Sequence, residues 1–249
     1  MKLGHVVAEG NTATIYQIQD KIVKVFREDL PDGTSSYEAE KQRYAYSKGL
    51  PVPKISGVTK IDGKQAIIME KMSGRTIGNL LLENRDHAEY YMELSVNIQQ
   101  SIHQINADSF EPMTEKLTRQ IKAADQLSQN QKATLIRKLK KMPVKKQLCH
   151  GDFHLFNLIM DDQVTIIDWV DASAGNSQAD VYRTYLLYTQ FSSDLAELYL
   201  KLYCIKTGVA QEAILEWAPI IAGARLAEGV RSEDSDRLLK IVDQISLEG

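Results

Sequence analysis

An α+β fold, a small antiparallel sheet carrying one helix followed by a larger and mostly helical part, is predicted by three features of the 249-residue sequence. Strand-like runs broken by turn residues fill the first 70 positions. Helical periodicity dominates after Met72. One strand-loop-strand stretch, at residues 147–172, interrupts the helical part. Strands and helices segregated in this way build α+β rather than doubly wound architectures.

The elements follow in order. "HVVAEGNTATIYQIQDKIVKVF" is β-branched and broken at Gly10-Asn11 and at Asp20, which predicts two hairpin-connected strands and a third ending near Phe26. "GTSSYEAEKQRYAYSKG" has a Ser/Thr-rich start, acidic residues in its first turn and Gly49 at its end, the start and stop signals of a helix. The two prolines of "LPVPKI" exclude a helix there. "VTKIDGKQAIIMEKM" reads as a hairpin through Asp62-Gly63 whose second strand ends near Met69. From Asn84 to Asn106, Tyr91, Leu94, Ile98, Ile102 and Ile105 recur three or four apart, one stripe of a helix. Residues 114–141 and the chain beyond Ala179 are predicted helical as well. The change of character at Met72 divides the chain into an N-terminal lobe, 1–72, and a helical lobe, 73–249.

Composition narrows the function classes. Hydrophobic residues make up 43% and charged residues 25%, which excludes a disordered chain. A net charge of -3 leaves no basic excess for a nucleic-acid partner, and the run "RKLKKMPVKK" reads as a solvated face. Cys149 and Cys204 cannot form a disulfide framework and are expected to be buried, reduced thiols. The first residues lack a hydrophobic signal core and no apolar run reaches membrane-spanning length. A soluble, cytoplasmic protein without a membrane partner is expected.

The stretch "QLCHGDFHLFNLIMDDQVTIIDWVDA" admits three readings. His150 and His154 are four apart, but Gly151 and the flanking apolar runs argue against the helix that a zinc pair would need. Asp161-Asp162 fits the polar tip of a hairpin. Asp168 instead leaves an apolar run into Trp169-Val170, where a carboxylate needs a partner such as a divalent cation. The third reading is phosphoryl transfer. An aspartate on a loop (Asp152) orients a hydroxyl and accepts its proton, an asparagine five residues on (Asn157) offers a neutral oxygen to Mg²⁺, and an aspartate eleven residues further (Asp168) is a charged Mg²⁺ ligand.

With "HGDFHLFN" and "IIDW" in this order, the chain resembles the aminoglycoside phosphotransferase and choline kinase family, which has a two-lobed protein-kinase-like fold. The resemblance implies an ATP- and Mg²⁺-dependent kinase with Asp152 as the catalytic residue in the loop 150–157, and with Asn157 and Asp168 on the metal. It implies that Lys24 of "IVKVF" reaches the α/β-phosphates. A helix glutamate would hold Lys24, and by likeness to "GTSSYEAEK…LPVPKI" it is Glu40, with Glu38 as the alternative two residues away. "AIIMEKM" resembles the strand and hinge that read adenine through the main chain of Glu70 and Met72. The loop "AEGNTATIY" has a single glycine, and the resemblance sets Asn11 and Thr12 near the phosphates. Asp180 is implied to cap a helix and brace the catalytic loop, with His150 as a scaffold residue. Leu155-Phe156 departs from the Pro-Gly common in relatives, which touches only loop shape. His103, read without the resemblance, is a packed or surface histidine.

Only eleven residues separate Asp168 from Asp180, and Gly151 stands where protein kinases carry arginine. A small-molecule hydroxyl acceptor, aminoglycoside-like, an amino alcohol or a sugar, is therefore expected, with no phosphorylation switch. Asp171, Glu228, Glu233 and Asp234 could meet a polycation, and Trp169, Tyr182, Tyr185 and Trp217 a quaternary amine. Each set has an ordinary alternative, as a solvated terminus or a helical core. The rival from another class is a pseudokinase, a nucleotide-binding or interaction module. It predicts decay at one of the motif positions, and none is decayed.

Overall fold

Turn residues cut the N-terminal third into strands, as the computed structural model shows; it describes residues 3–10, 12–230 and 233–244. β1 (His5–Glu9), β2 (Ala13–Ile18) and β3 (Lys21–Phe26) precede a helix, α1 (Thr34–Ser47), which begins after Gly33. β4 (Ile55–Ile61) and β5 (Lys64–Glu70) form the expected hairpin, and its two corner residues adopt positive φ, 48° at Asp62 and 83° at Gly63. A turn of this hand matches strand twist. The sheet order is β1-β2-β3-β5-β4, antiparallel throughout.

Alternation along β3 decides which residues meet α1. Phe26 packs with Ala13, Ile67 and the helix residue Ala39, while Val23 and Val25 belong to a second cluster with Ile61 and Ala66. Lys24 is two residues from Phe26 and paired with Ile67 across the ladder, so it shares the face beneath α1.

The chain continues through β6 (Arg75–Thr76), α2 (Ile77–Glu83), a 3₁₀ turn (Arg85–His87), α3 (Ala88–His103), α4 (Met113–Ala123) and α5 (Gln129–Leu139). The single helical span predicted over 114–141 is two helices. Ser128 and Gln131 close a reciprocal capping box that starts α5 afresh. Then come β7 (Gln147–Cys149), a 3₁₀ turn (Leu155–Asn157), β8 (Leu158–Met160), β9 (Val164–Ile166) and β10 (Ser173–Gly175). The remainder is α6 (Ser177–Phe191), α7 (Ser193–Thr207), α8 (Gln211–Leu215), α9 (Ala218–Leu226) and α10 (Ser235–Asp243). The hairpin of β8 and β9, with Asp161-Asp162 at its tip, is as expected; β10, which pairs with β7, was not.

Two compact units result. One combines the chain up to Glu83 with Leu155–Val170; the other combines Asn84–His154 with the chain from Asp171 onward. The first thus holds the five-stranded sheet, α1 and the three-stranded sheet β6-β8-β9. The second is mostly helical, with β7 and β10 as its only sheet among the described residues. No helix among the described residues is long and apolar enough to cross a membrane.

Candidate active site

In the first unit the buried face of α1 is polar, and each polar group on it has a tertiary partner. Ser35 donates to Gln65 Oε1, Gln42 Nε2 donates to the Pro53 carbonyl at 2.6 Å, and Lys41 Nζ donates to the Val170 carbonyl at 2.6 Å. Glu38, on the same face, receives Lys24 Nζ at 2.6 Å; Lys24 also reaches Asp168 Oδ1 at 3.0 Å. The expectation of Glu40 as the partner of Lys24 is corrected here: the partner is Glu38. Two residues along a helix is about 200° of rotation, so with Glu38 turned inward, Glu40 is exposed.

Burial acts to lower Lys24, but the carboxylates of Asp168 and Glu38 outweigh it and hold the ammonium above its ordinary value. Burial pushes Glu38 up, against the pull of Lys24. The two directions favour different protonation states. The 2.6 Å contact and the second carboxylate on Lys24 decide for the charged pair. Removing a charged hydrogen bond of this kind costs about 1.5–3 kcal/mol. Glu38→Gln is therefore expected to lower kcat/KM for nucleotide about 10- to 100-fold, and Glu40→Gln to change it by less than about twofold. Equal effects in steady-state kinetics would return the role to Glu40.

The hairpin of β8 and β9 sets the two candidate metal ligands at one end. Leu158 pairs with Ile166, and Ile167 N–H donates to the Asn157 carbonyl at 3.0 Å, so Asn157 and Asp168 both follow from the open end of the ladder. Asn157 is buried, whereas the Asp168 side chain is 39% exposed and open to a ligand. Asp168 adopts φ 66°, a left-handed conformation that Gly takes readily, Asn and Asp less so and most other residues seldom. Lys24 grips its carboxylate and Lys41 the carbonyl two residues on, which holds this turn in place. An amide oxygen and a carboxylate are hard donors of the type Mg²⁺ takes, so the pair fits that ion.

Of the remaining nucleotide-loop and hinge candidates, Asn11 lies outside the described residues. Thr12 accepts the Arg27 N–H on its carbonyl at 2.9 Å, and Arg27 Nη2 donates to the Gly10 carbonyl at 3.3 Å, which fastens the turn between β1 and β2. Glu70 ends β5 with its N–H on the Lys54 carbonyl at 2.9 Å, and Met72 follows, half-buried.

In the second unit β7 delivers His150, Gly151 and Asp152. Gly151 has φ 82°, and a Cβ there would lie 2.4 Å from the Asp171 carbonyl oxygen, so the turn requires glycine. Asp180, on the first turn of α6, accepts from His150 N–H at 3.3 Å and Gly151 N–H at 2.7 Å. It also contacts Gln99 Nε2 at 3.2 Å and His103 Nε2 at 2.9 Å. The bracing expected of Asp180 is seen; the cap is not, because Asn176 caps α6 through Gln178 N–H. His103, Cys149 and Asp180 lie within 4.8 Å of one another. Asp180 already spends its oxygens on four donors, and burial pushes the Cys149 thiol well up, so the trio is packing rather than a metal centre. His150 is fully buried, edge-on to Phe153, and Cys204 is only half-buried.

Asp152 is partly exposed and stands 3.5 Å from His154 Nε2 and 3.8 Å from Arg183 Nη2. Burial acts to raise its pKa, but the His154 hydrogen bond, then the charges of His154, Arg183 and His150, carry it well below the usual carboxylate range. The folded pKa is depressed, so the associated stability is present above the unfolded value of about 3.9 and lost as pH falls through the lower folded value. The same sign governs activity: Asp152 stays ionised, and kcat/KM is expected to show no acid limb from it between about pH 5 and 8. An acid limb in that window that vanishes in Asp152→Asn would contradict this.

The acids and aromatics considered for an acceptor are largely occupied. Lys116 Nζ lies 2.7 Å from Asp171, and Arg183 Nη2 2.8 Å from Glu228, which also holds Arg225. Glu233 bridges Arg225 and Arg237 at 3.0 and 2.7 Å, and Asp234 caps α10. Trp169, Tyr182 and Trp217 are core residues, and Tyr185 donates to Glu197 at 2.7 Å. Arg183 and Lys116 were not foreseen. Isolated basic residues on helices carry no local signal of such a role.

A sequence model of the phosphotransferase enzyme family matches residues 4–217. No curated protein matches the chain. Among solved structures, a thermostable mutant of aminoglycoside phosphotransferase APH(4)-Ia, in its apo form, aligns with a TM-score of 0.73 at 13% identity, covering 100% of this chain and 95% of its own. Choline kinase LicA from Streptococcus pneumoniae aligns at 0.66 and 15% identity, covering 98% and 94%. ADP-bound APH(2'')-Ib aligns at 0.63 and 17% identity, covering 98% and 93%. The shared property is the fold, the two-lobed protein-kinase-like arrangement of a small antiparallel sheet and a mostly helical part.

Proposed function

Because the chain belongs to the phosphotransferase enzyme family, we propose that it transfers the γ-phosphoryl group of ATP to a hydroxyl of a small molecule. The observation that carries this reading is the chain of contacts from Glu38 through Lys24 to Asp168, a phosphate-binding cation held between two carboxylates. Residues 1–72 act as the nucleotide-binding lobe, in which Lys24 draws the α/β-phosphates and the main chain of Glu70 and Met72 receives the base. Asn157 and Asp168 hold Mg²⁺, which when bound neutralises charge building on the phosphate oxygens.

Asp152 receives the acceptor hydroxyl as a hydrogen-bond donor and aims its oxygen at the γ-phosphorus. One P–O bond forms, the bond to ADP breaks, and the hydroxyl proton passes to Asp152. A carboxylate with so low a pKa is a weak base, so the proton leaves late. This suits a loose transition state with little bond formation to the nucleophile. Asp180 acts through Gly151 and His150 to fix the loop. ATP supply places the reaction in the cytoplasm.

The test is ADP formation by the purified protein with ATP, Mg²⁺ and hydroxyl compounds. Acceptor-dependent turnover that EDTA abolishes is expected. Nucleotide binding without transfer to any acceptor would favour the pseudokinase instead.

A further inference from the structure

We infer, on the basis of the phosphotransferase reading, that the acceptor is an oxygen-rich hydroxyl compound without amino groups, and that Arg183 is the residue that selects it. Arg183 lines a cleft of the second unit with Lys116, Gln120, Ser173, Gly151 and Glu228. Its side chain is 8% exposed, its Nη2 faces Asp152 at 3.8 Å, and its Nε–H is buried without an acceptor. The guanidinium therefore has donor capacity beyond its bond to Glu228, next to the carboxylate proposed to receive the hydroxyl.

The acids nearby do not offer the opposite chemistry. Asp171 is closed by Lys116, Glu228 by Arg183 and Arg225, and Asp180 by four hydrogen-bond donors. Behind them Glu233 is held by Arg225 and Arg237. Among the described residues of this cluster, the four carboxylates Asp152, Asp171, Glu228 and Glu233 meet four cations, Lys116, Arg183, Arg225 and Arg237, and the fifth, Asp180, is closed by its hydrogen bonds. An ammonium entering the cleft meets Lys116 and Arg183 as like charges. To recruit Glu228 it would have to strip a guanidinium of its partner and leave that charge buried and unpaired, which is strongly unfavourable. A sugar hydroxyl or a carboxylate oxygen meets donors instead.

The experiment offers the full-length protein γ-labelled ATP, Mg²⁺ and three acceptor sets: neutral sugars and polyols, hydroxy acids, and amines comprising choline and aminoglycosides. Transfer to a member of either amine-free set is expected, with amines at least about 100-fold lower in kcat/KM. The loss of a charged hydrogen bond, about 10- to 100-fold, sets the expected fall in acceptor kcat/KM for Arg183→Met. Nucleotide dissociation constants should stay within about twofold, and Arg183→Lys should recover part of the loss. If Arg183→Met fails to fold, Arg183→Lys carries the test through its own smaller loss. Preferred transfer to an amine, or an Arg183→Lys enzyme with wild-type acceptor kinetics, overturns the inference and leaves the kinase reading standing. No transfer to any set overturns both.

Discussion

Asp152→Asn is expected to lower kcat about 10²- to 10⁴-fold, the usual worth of a positioned general base, while nucleotide affinity stays within about twofold. Asparagine keeps the shape and can still accept from the hydroxyl, but it cannot take the proton. It also keeps a polar group opposite His154 and Arg183, and Arg183 retains Glu228 at 2.8 Å. The loop itself is anchored through Gly151 and His150 on Asp180. The loss should therefore appear in kcat with the fold retained, while thermal stability falls by what the ionised carboxylate contributes beside His154 and Arg183. A variant that turns over within about tenfold of wild type would remove Asp152 from the chemistry.

Asp168→Asn is expected to be as severe in turnover and different in kind, because it removes the charged metal ligand. The Mg²⁺ dependence of nucleotide binding should largely disappear, and kcat/KM should fall by about 10³-fold or more. The choice of asparagine follows from φ 66° at this position. A left-handed backbone costs an ordinary residue about 1–2 kcal/mol, and asparagine is among the few that tolerate it. Asp168→Ala adds that strain and, unlike asparagine, leaves Lys24 no side-chain oxygen at this position, so it is expected to be less stable than Asp168→Asn. If the two variants melt alike in calorimetry, the turn is not under the constraint described.

The strands and the hairpins were legible because β-branched runs broken by Asp-Gly or Gly-Asn leave few other choices. The identity of the lysine partner was not, for a physical reason. Helix α1 buries Ser35, Glu38, Lys41 and Gln42, so hydrophobic periodicity points to no face, and Glu38 and Glu40 look alike. The same holds for α3. Of its stripe of Tyr91, Leu94, Ile98, Ile102 and Ile105, Tyr91 and Ile102 are buried, but so are Ser95, Gln99 and His103, of which Gln99 and His103 serve the network around Asp180. β10 escaped because three small residues, Ser173–Gly175, have no strand pattern of their own and pair only because β7 lies alongside. The motif residues Asp152, Asn157 and Asp168 were visible from spacing, since the loop and hairpin fix them locally. The ion pairs Lys116–Asp171 and Arg183–Glu228 link residues 55 and 45 positions apart, which no local pattern encodes.

Phosphoryl transfer to a small-molecule hydroxyl by Lys24, Asp152, Asn157 and Asp168 acting together is followed with label from γ-labelled ATP. Wild type and Asp152→Asn are run side by side with the same acceptor sets, after both have been shown to bind nucleotide. Labelled acceptor is expected with wild type and Mg²⁺, and little or none with Asp152→Asn. Label that never leaves ATP for an acceptor, or that moves equally well in the variant, would contradict it.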